Sequence, residues 1–477
     1  MFTSVLSDEQ IRRLDQASLS ILHRTGVRVP HEDVLRRFAD AGADVDLPRH
    51  RVRIPPALVA SCLGRAGRQF TIYGRDLSRT ARFGQGVRNY NSIAGEAMWV
   101  DEVGADRRYA RLADVATACR FADGLERINV VGAMTDAQDV PVAWRCVAQL
   151  AEMIRHTTKP LHFWLHDRRS AKYLLEMTGA LRGGDRAAAE QPLWYAFLEP
   201  ISPLRFPFNG VDLLFETSRQ NIPVSVGPMA QMGVSAPCTV AGTLAMENAE
   251  ILAGICIVQL IAPGTPVCYG GICHAFDMRT TQLIFCGPEQ AIFGVAMTQM
   301  GKHYGLPVYI NVGLTDSKRP DAQAGLEAAA TLAMGAAAGA DIFGHMGICG
   351  VDQATSLDML VLQHEVVRYV EGLLREIDFS DETMGLDEID AAGPGGTFLD
   401  REHTARHYRR ELWDPRLLDR RFYQAWKDGG ATDTEDRCRQ EKQRILREHR
   451  VPPVEPSLSA EMDRVVSAAR RELTQEG

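Results

Sequence analysis

The 477-residue sequence contains no CxxC pair, no GxGxxG or GxxxxGK(S/T) phosphate loop and no GxSxG elbow. Without CxxC, its ten cysteines form neither a zinc-finger nor a disulfide framework. The start of the chain, MFTSVLSDEQ, lacks the basic end and apolar middle of a secretion leader. The thiols are therefore expected to be reduced and mostly buried, in a cytoplasmic protein. The missing phosphate loops count against an open dinucleotide-binding sheet. The missing elbow leaves no serine nucleophile of the hydrolase kind. No basic block dominates the chain, whose formal net charge is -8, so a general nucleic-acid binder is not expected. The apolar run at 251–261 is about half the ~20 residues a membrane span needs, so no membrane association is expected either.

What is present is alternation. Short apolar runs at 128–133, 161–165, 193–198, 223–227, 266–270, 307–312 and 341–344 predict strands, and a weaker one falls within 87–100. Several open on a proline (Pro160, Pro192, Pro223, Pro266, Pro307), which loses nothing at a strand's first position. Between and after them, amphipathic or apolar patterns predict helices at 112–124, 142–157, 171–181, 210–219, 240–261, 289–303, 322–338 and 356–374. Strands that are apolar throughout are buried on both faces, as parallel strands must be. Eight such units predict a (β/α)8 TIM barrel over residues 86–376. A helical cap precedes it at 1–85, where Ser7 and Gln10 form a capping box. A helical extension follows at 377–477, with Trp413 and Trp426 as docking points and a solvated, salt-bridged helix at 435–450.

In such a barrel the chemistry sits at the C-terminal ends of the strands and in the loops that follow. Those loops carry Thr135, Asp136, His166, Asp167, Met229, Gln231, Cys273 and Thr315 among others. Glu199 and Asp316 are the candidate catalytic carboxylates, and at a barrel mouth a carboxylate requires a cation or a proton. Asp167, Asp316 and Asp321 each precede a helix and also fit helix capping. His274, Cys286 and Cys349, or Cys273 with His345, leave open a zinc-dependent methyltransferase or hydrolase. A binding protein without turnover is a further alternative.

The chain also resembles the trimethylamine methyltransferase family, the corrinoid-dependent amine methyltransferases, along nearly its whole length. The matching stretches are ILHRTGV at 21–27, DAGADVD at 40–46, VRIP at 52–55, DMRTT at 277–281, GPE at 287–289 and TDSKRPDAQ at 315–323. GPGGTFL at 393–399, His403-Thr404 and Asp419-Arg420 before Trp426 complete the series. The resemblance implies methyl transfer from a methylated amine to the Co(I) corrinoid of a separate carrier protein, with no cofactor held permanently. Founding members carry pyrrolysine. This chain has only standard residues, which places it beside the branch that includes glycine betaine methyltransferases. A quaternary ammonium leaves as a neutral amine, so such an enzyme must bind a cation, aim one methyl group and exclude water. Trp164, Trp194, Tyr195 and Phe343 are the aromatic candidates for the cation. Asn311, His274 and His345 are candidate donors to a substrate carboxylate. No metal ligand is expected, and a homo-oligomer is.

Overall fold

The structure, a computed structural model, describes residues 3–474. Eight parallel strands form its centre: β1 Asn89–Ser92, β2 Val131–Gly132, β3 Leu161–His162, β4 Ala196–Leu198, β5 Val224–Val226, β6 Val267–Gly271, β7 Val308–Asn311 and β8 Ile342–Met346. Strands β4 to β8 pair in sequence, and β8 pairs with β1. Strands β2 and β3 pair with each other. Single bridges from Asn91 to Val130 and from Leu161 to Trp194 close the ring. The expected barrel is therefore present.

Its helices are α1 Leu112–Asp123, α2 Val142–His156, α3 Arg168–Arg182, α4 Phe208–Thr217, α5 Val240–Ile261, α6 Pro288–His303, α7 Ala322–Ala338 and α8 Leu357–Leu373. Asp167 and Asp321 cap α3 and α7 by accepting from the backbone N–H groups of Ser170 and Ala324, at 2.8 and 3.0 Å. Helix α5 is apolar on nearly every side and almost wholly buried. A barrel helix normally shows one polar face to water. Here the cap helices Asp8–Ser20, Glu32–Asp40 and Pro56–Arg65 lie over that face.

The cap is not purely helical. It contains a three-stranded sheet and an antiparallel hairpin, Phe70–Tyr73 with Thr80–Phe83. Phe70, Ile72, Ala81 and Phe83 pack against Val130, Tyr195, Cys268 and Ile342, inward side chains at the lower end of the barrel, in a cluster that reaches up to Tyr309. The hairpin is a plug. Its position is fixed where Tyr73 donates to Pro192 O at 2.7 Å and Gly84 donates to Asp341 Oδ1 at 2.7 Å.

Beside the plug, Lys159 is 2% exposed and its Nζ donates to the carbonyl oxygens of Ala122, Leu125 and Ile128 at 3.0, 2.8 and 2.7 Å. It closes the end of α1 and the turn into β2. Lys159→Met would strand three buried carbonyls and is expected to cost about 3 kcal/mol, as read from the urea midpoint. A loss below about 1 kcal/mol would contradict this role.

In the C-terminal extension the helix α9 Thr434–Glu448 is docked rather than solvated, and it buries Cys438, Lys442 and Ile445. Lys442 Nζ pairs with Asp358 Oδ2 at 2.7 Å inside that contact. The last helix, α10 Pro456–Thr474, covers α2 and α3. Trp413 docks as expected, against Gly372 and Tyr369 of α8. Trp426 instead donates to Thr432 O within its own segment.

Candidate active site

Alternation decides which strand residues face the lumen. On β3 His162 points in, followed upward by Trp164. On β4 it is Tyr195 and then Phe197. On β7 it is Tyr309 and then Asn311. Register shifts on β8 after Phe343, and His345 joins the inward set.

Four rings form a box at the upper level of the lumen. Centroids of Trp164 and Phe197 are 6.0 Å apart, Phe197 and Tyr309 5.5 Å, Tyr309 and His345 5.7 Å, and His345 and Trp164 6.3 Å. His162 lies against the box, 5.7 Å from Trp164 and 6.1 Å from Phe197. Trp164 and Phe197 are only half-buried, so the box opens upward to water. Trp164 Nε1 donates to Gly95 O at 2.8 Å, which holds the ring to the loop bearing Glu96.

The floor is polar and buried. Asn91 Nδ2 meets His162 Nδ1 at 3.1 Å, and Asn311 Nδ2 meets His274 Nε2 at 3.4 Å. Both nitrogens of His345, Nε2 of His162, Nδ1 of His274, Oδ1 of Asn311 and the hydroxyl of Tyr309 are buried without a hydrogen-bond partner. Burial lowers His162 and His274 to about 3 and pushes His345 well below its ordinary value, so all three are neutral.

Above the box stand three carboxylates from three loops: Glu96 after β1, Glu199 after β4 and Asp352 after β8. Among the described residues none of them has an ion-pair or hydrogen-bond partner for its side chain. Water reaches Glu199, yet protein stands around most of it, so it lies in a recess. Burial, with repulsion from Asp352, raises its pKa to about 7. Burial raises Asp352, and burial with Asp352, Asp136 and Glu199 nearby raises Glu96. The three cannot all ionise without a cation among them. The nearest basic groups are already committed. Arg145 pairs closely with Asp136, whose other oxygen lies 3.7 Å from His166. Burial opposes charge on His166, but Asp136 outweighs it and raises the ring to about 10.

The neighbouring mouth loops, and the β4 loop that bears Glu199, are braced from below. Glu247, inside apolar α5, accepts from Ile272 N at 2.9 Å and Ala230 N at 3.2 Å, tying the exits of β6 and β5. Glu250, one turn on, accepts from Ser202 Oγ at 2.7 Å and from Leu204 N, in the loop after β4.

The structure thus brings Trp164, His345 and Glu199 together, with Asn311 and His274 adjoining. It separates the others. Trp194 is fully buried on the outward face against Phe163, because neighbouring strand residues cannot share a face and Tyr195 has the inner one. Tyr195 faces in but lies a layer too low, stacked on His162 at 4.7 Å and edge-on to Phe83 of the plug. Phe343 faces outward onto Tyr90 at 5.3 Å. Asp316 is raised to about 6 by burial, but its Oδ1 accepts from Phe285 N and Cys286 N at 2.9 and 3.2 Å. It is a brace of the loop after β6 rather than a member of the carboxylate trio. The thiol sets considered for zinc are not assembled: among the described residues no three His, Cys, Asp or Glu side chains are placed to share a metal ion. Glu96, Asp352, His162 and Tyr309 escaped the sequence reading. A polar residue two positions before another polar or aromatic strand-end residue, as with His162 and Trp164, is the signal that finds the last two.

The sequence profile of the trimethylamine methyltransferase family matches residues 1–474. Trimethylamine methyltransferase MttB2 of Methanosarcina mazei is 30% identical, over 98% of this chain and 95% of the relative. Glycine betaine methyltransferase of Desulfitobacterium hafniense strain Y51 is 28% identical, over 99% and 98%. The crystal structure of the monomethylamine methyltransferase of Methanosarcina barkeri shares the fold, with a TM-score of 0.51 at 12% identity over 100% of this chain and 90% of that one. With a match along almost its whole length and a ring box at the mouth of the shared barrel, the chain belongs to the trimethylamine methyltransferase family and is a methyltransferase.

Proposed function

We propose that the protein transfers a methyl group from a quaternary methylated amine, of the glycine betaine kind, to the Co(I) corrinoid of a separate protein. The observation that carries this reading is the half-open box of Trp164, Phe197, Tyr309 and His345 beneath three carboxylates that lack a cation. Aromatic faces attract a quaternary ammonium, by about 2 kcal/mol or more where water is excluded. Glu199, Glu96 and Asp352 add charge attraction from above. The neutral ring of His345, with both nitrogens buried and unpartnered, suits an oxygen-bearing tail of the substrate. Such an ammonium already carries its charge, so the amine departs neutral and no general acid is required at nitrogen. Cob(I)alamin supplies the nucleophile. The chain's own contribution is to hold the cation, turn one methyl group toward the open mouth and keep water away.

The test is a mixture of the protein, cob(I)alamin and a panel of betaines, other quaternary amines and trimethylamine, followed by the loss of cob(I)alamin absorbance. Transfer from a quaternary amine supports the reading. Transfer from trimethylamine alone, or from none, overturns it.

The carboxylates also predict a pH dependence. Their folded pKa values are raised, so protons stabilise the free protein at low pH, and that stability is lost as pH rises through about 7. A bound ammonium takes the protons' place. Affinity for a quaternary amine is therefore expected to rise roughly tenfold from pH 5.5 to 8. At pH 7 binding should release protons, visible by calorimetry in buffers of different ionisation enthalpy. A dissociation constant flat across that range would contradict the assignment.

A further inference from the structure

Beneath the ring box one donor is both oriented and unused. Asn91 Nδ2 donates to Ser92 O at 3.3 Å and meets His162 Nδ1 at 3.1 Å. A carbonyl oxygen only accepts, so the amide turns its NH2 side this way and His162 Nδ1 must accept. Gly344 makes room for the amide, since a Cβ there would stand 2.2 Å from Asn91 Oδ1. Burial with no charged group beside it keeps the His162 ring neutral. Its single proton then sits on Nε2. That N–H is buried without a hydrogen-bond partner. A donor left so costs about 1–3 kcal/mol, which a ligand oxygen recovers.

The ring is held where it is. Tyr195 stacks on it at 4.7 Å with the planes 18° apart, and Phe83 of the plug stands edge-on to Tyr195 at 5.8 Å. Nε2 lies on the side away from Asn91, and the ring centroid is 5.7, 6.1 and 6.3 Å from those of Trp164, Phe197 and His345.

Charge decides which end of a substrate comes here. Glu96, Glu199 and Asp352, above the box, attract an ammonium and repel an anion. A zwitterion held by its ammonium in the box therefore turns its carboxylate down to the floor, and its methyl groups stay toward the mouth. Depth decides the length of the tail. His162 precedes Trp164 by two residues, about 7 Å along a strand and about 5–6 Å along the axis of a tilted barrel. An ammonium with its carboxylate one carbon away spans about 3–4 Å from nitrogen to oxygen, and a hydrogen bond adds about 2.8 Å. Two further methylenes add about 2.5 Å and drive the tail into Tyr195, below which the plug closes the barrel.

We propose that His162 sets the specificity of the chamber: its Nε2–H, held in that tautomer by Asn91 as a positioning residue, takes the carboxylate of a betaine whose tail is one carbon long. The inference rests on the box holding an ammonium, as read above.

The test is calorimetric titration of the purified chain, without a methyl acceptor, with glycine betaine, tetramethylammonium and γ-butyrobetaine. Glycine betaine is expected to bind about thirtyfold more tightly than the tailless tetramethylammonium, the size of a hydrogen bond to a charged group. It should also bind at least about tenfold more tightly than γ-butyrobetaine, whose tail is two methylenes longer. His162→Phe keeps the stack on Tyr195 but has no donor, and should bring the glycine betaine to tetramethylammonium ratio within about threefold of unity. His162→Gln returns an N–H near the Nε2 position and should recover most of the ratio. Asn91→Leu frees the tautomer and should lower the ratio by about fivefold. A general loosening of the box weakens both ligands and leaves the ratio alone. A native chain without preference for glycine betaine overturns the inference, as does a native ratio in His162→Phe. A chain that binds no quaternary amine overturns it together with the function proposed above. The expected selectivity without any methyl transfer to cob(I)alamin would support the inference and defeat that function alone.

Discussion

Glu199→Lys is expected to lower kcat/KM for a quaternary amine by roughly a thousandfold or more while leaving the fold intact. At about 6 Å and an effective dielectric of ~20, one unit charge acts on another with about 3 kcal/mol. Reversing the sign at Glu199 replaces that attraction with a repulsion of similar size, a swing of about 5 kcal/mol. Glu199→Gln removes the attraction alone and should cost about a hundredfold. Because water reaches this side chain, neither change creates a buried vacancy. Most of the loss should appear in KM, since the carboxylate attracts substrate and transition state alike. Initial rates across amine concentrations measure it. A lysine variant within tenfold of the native enzyme would remove Glu199 from the site.

The second large effect belongs to Trp164. Trp164→Ala deletes one wall of the box, and with it about 2 kcal/mol of cation–π attraction. It also frees the Gly95 carbonyl that the indole N–H holds at 2.8 Å, loosening the loop that bears Glu96. Together these are expected to reduce kcat/KM about a hundredfold, with kcat falling as well as KM rising, because the ring orients the ammonium. Trp164→Phe keeps an aromatic face and should recover to within about tenfold of the native rate. Retention of activity within threefold in the alanine variant would mean that the cation lies elsewhere.

The barrel was legible in the sequence because most strands are short apolar runs, five of them with a proline at the start. Helices α5 and α7 were bounded as the structure has them. The plug was not legible. Its strands, Phe70–Tyr73 and Thr80–Phe83, are four residues long and alternate apolar with polar side chains, a pattern lost among the helices around it. At the site, strand-end position picked out Trp164, Glu199 and His345, which the structure brings together at the barrel mouth. It failed where facing mattered. Trp194 and Tyr195 are consecutive, so one of them had to point away from the lumen, and Phe343 differs from His345 only through a register shift that no local residue announces. Glu96 and Asp352 are lone carboxylates in stretches of small and apolar residues, IAGEAMW at 93–99 and GICGVD at 347–352, and only the closed ring brings them opposite Glu199.

The plug has a consequence for the order of events. A barrel stopped at its lower end is a blind chamber with one doorway, so amine, methyl acceptor and demethylated product must all use the same opening. In the proposed transfer to a carrier protein, the amine would enter before the carrier covers that opening, and the product would wait until the carrier has gone. One aromatic hairpin at the far end of the molecule thereby imposes a queue on its reactants.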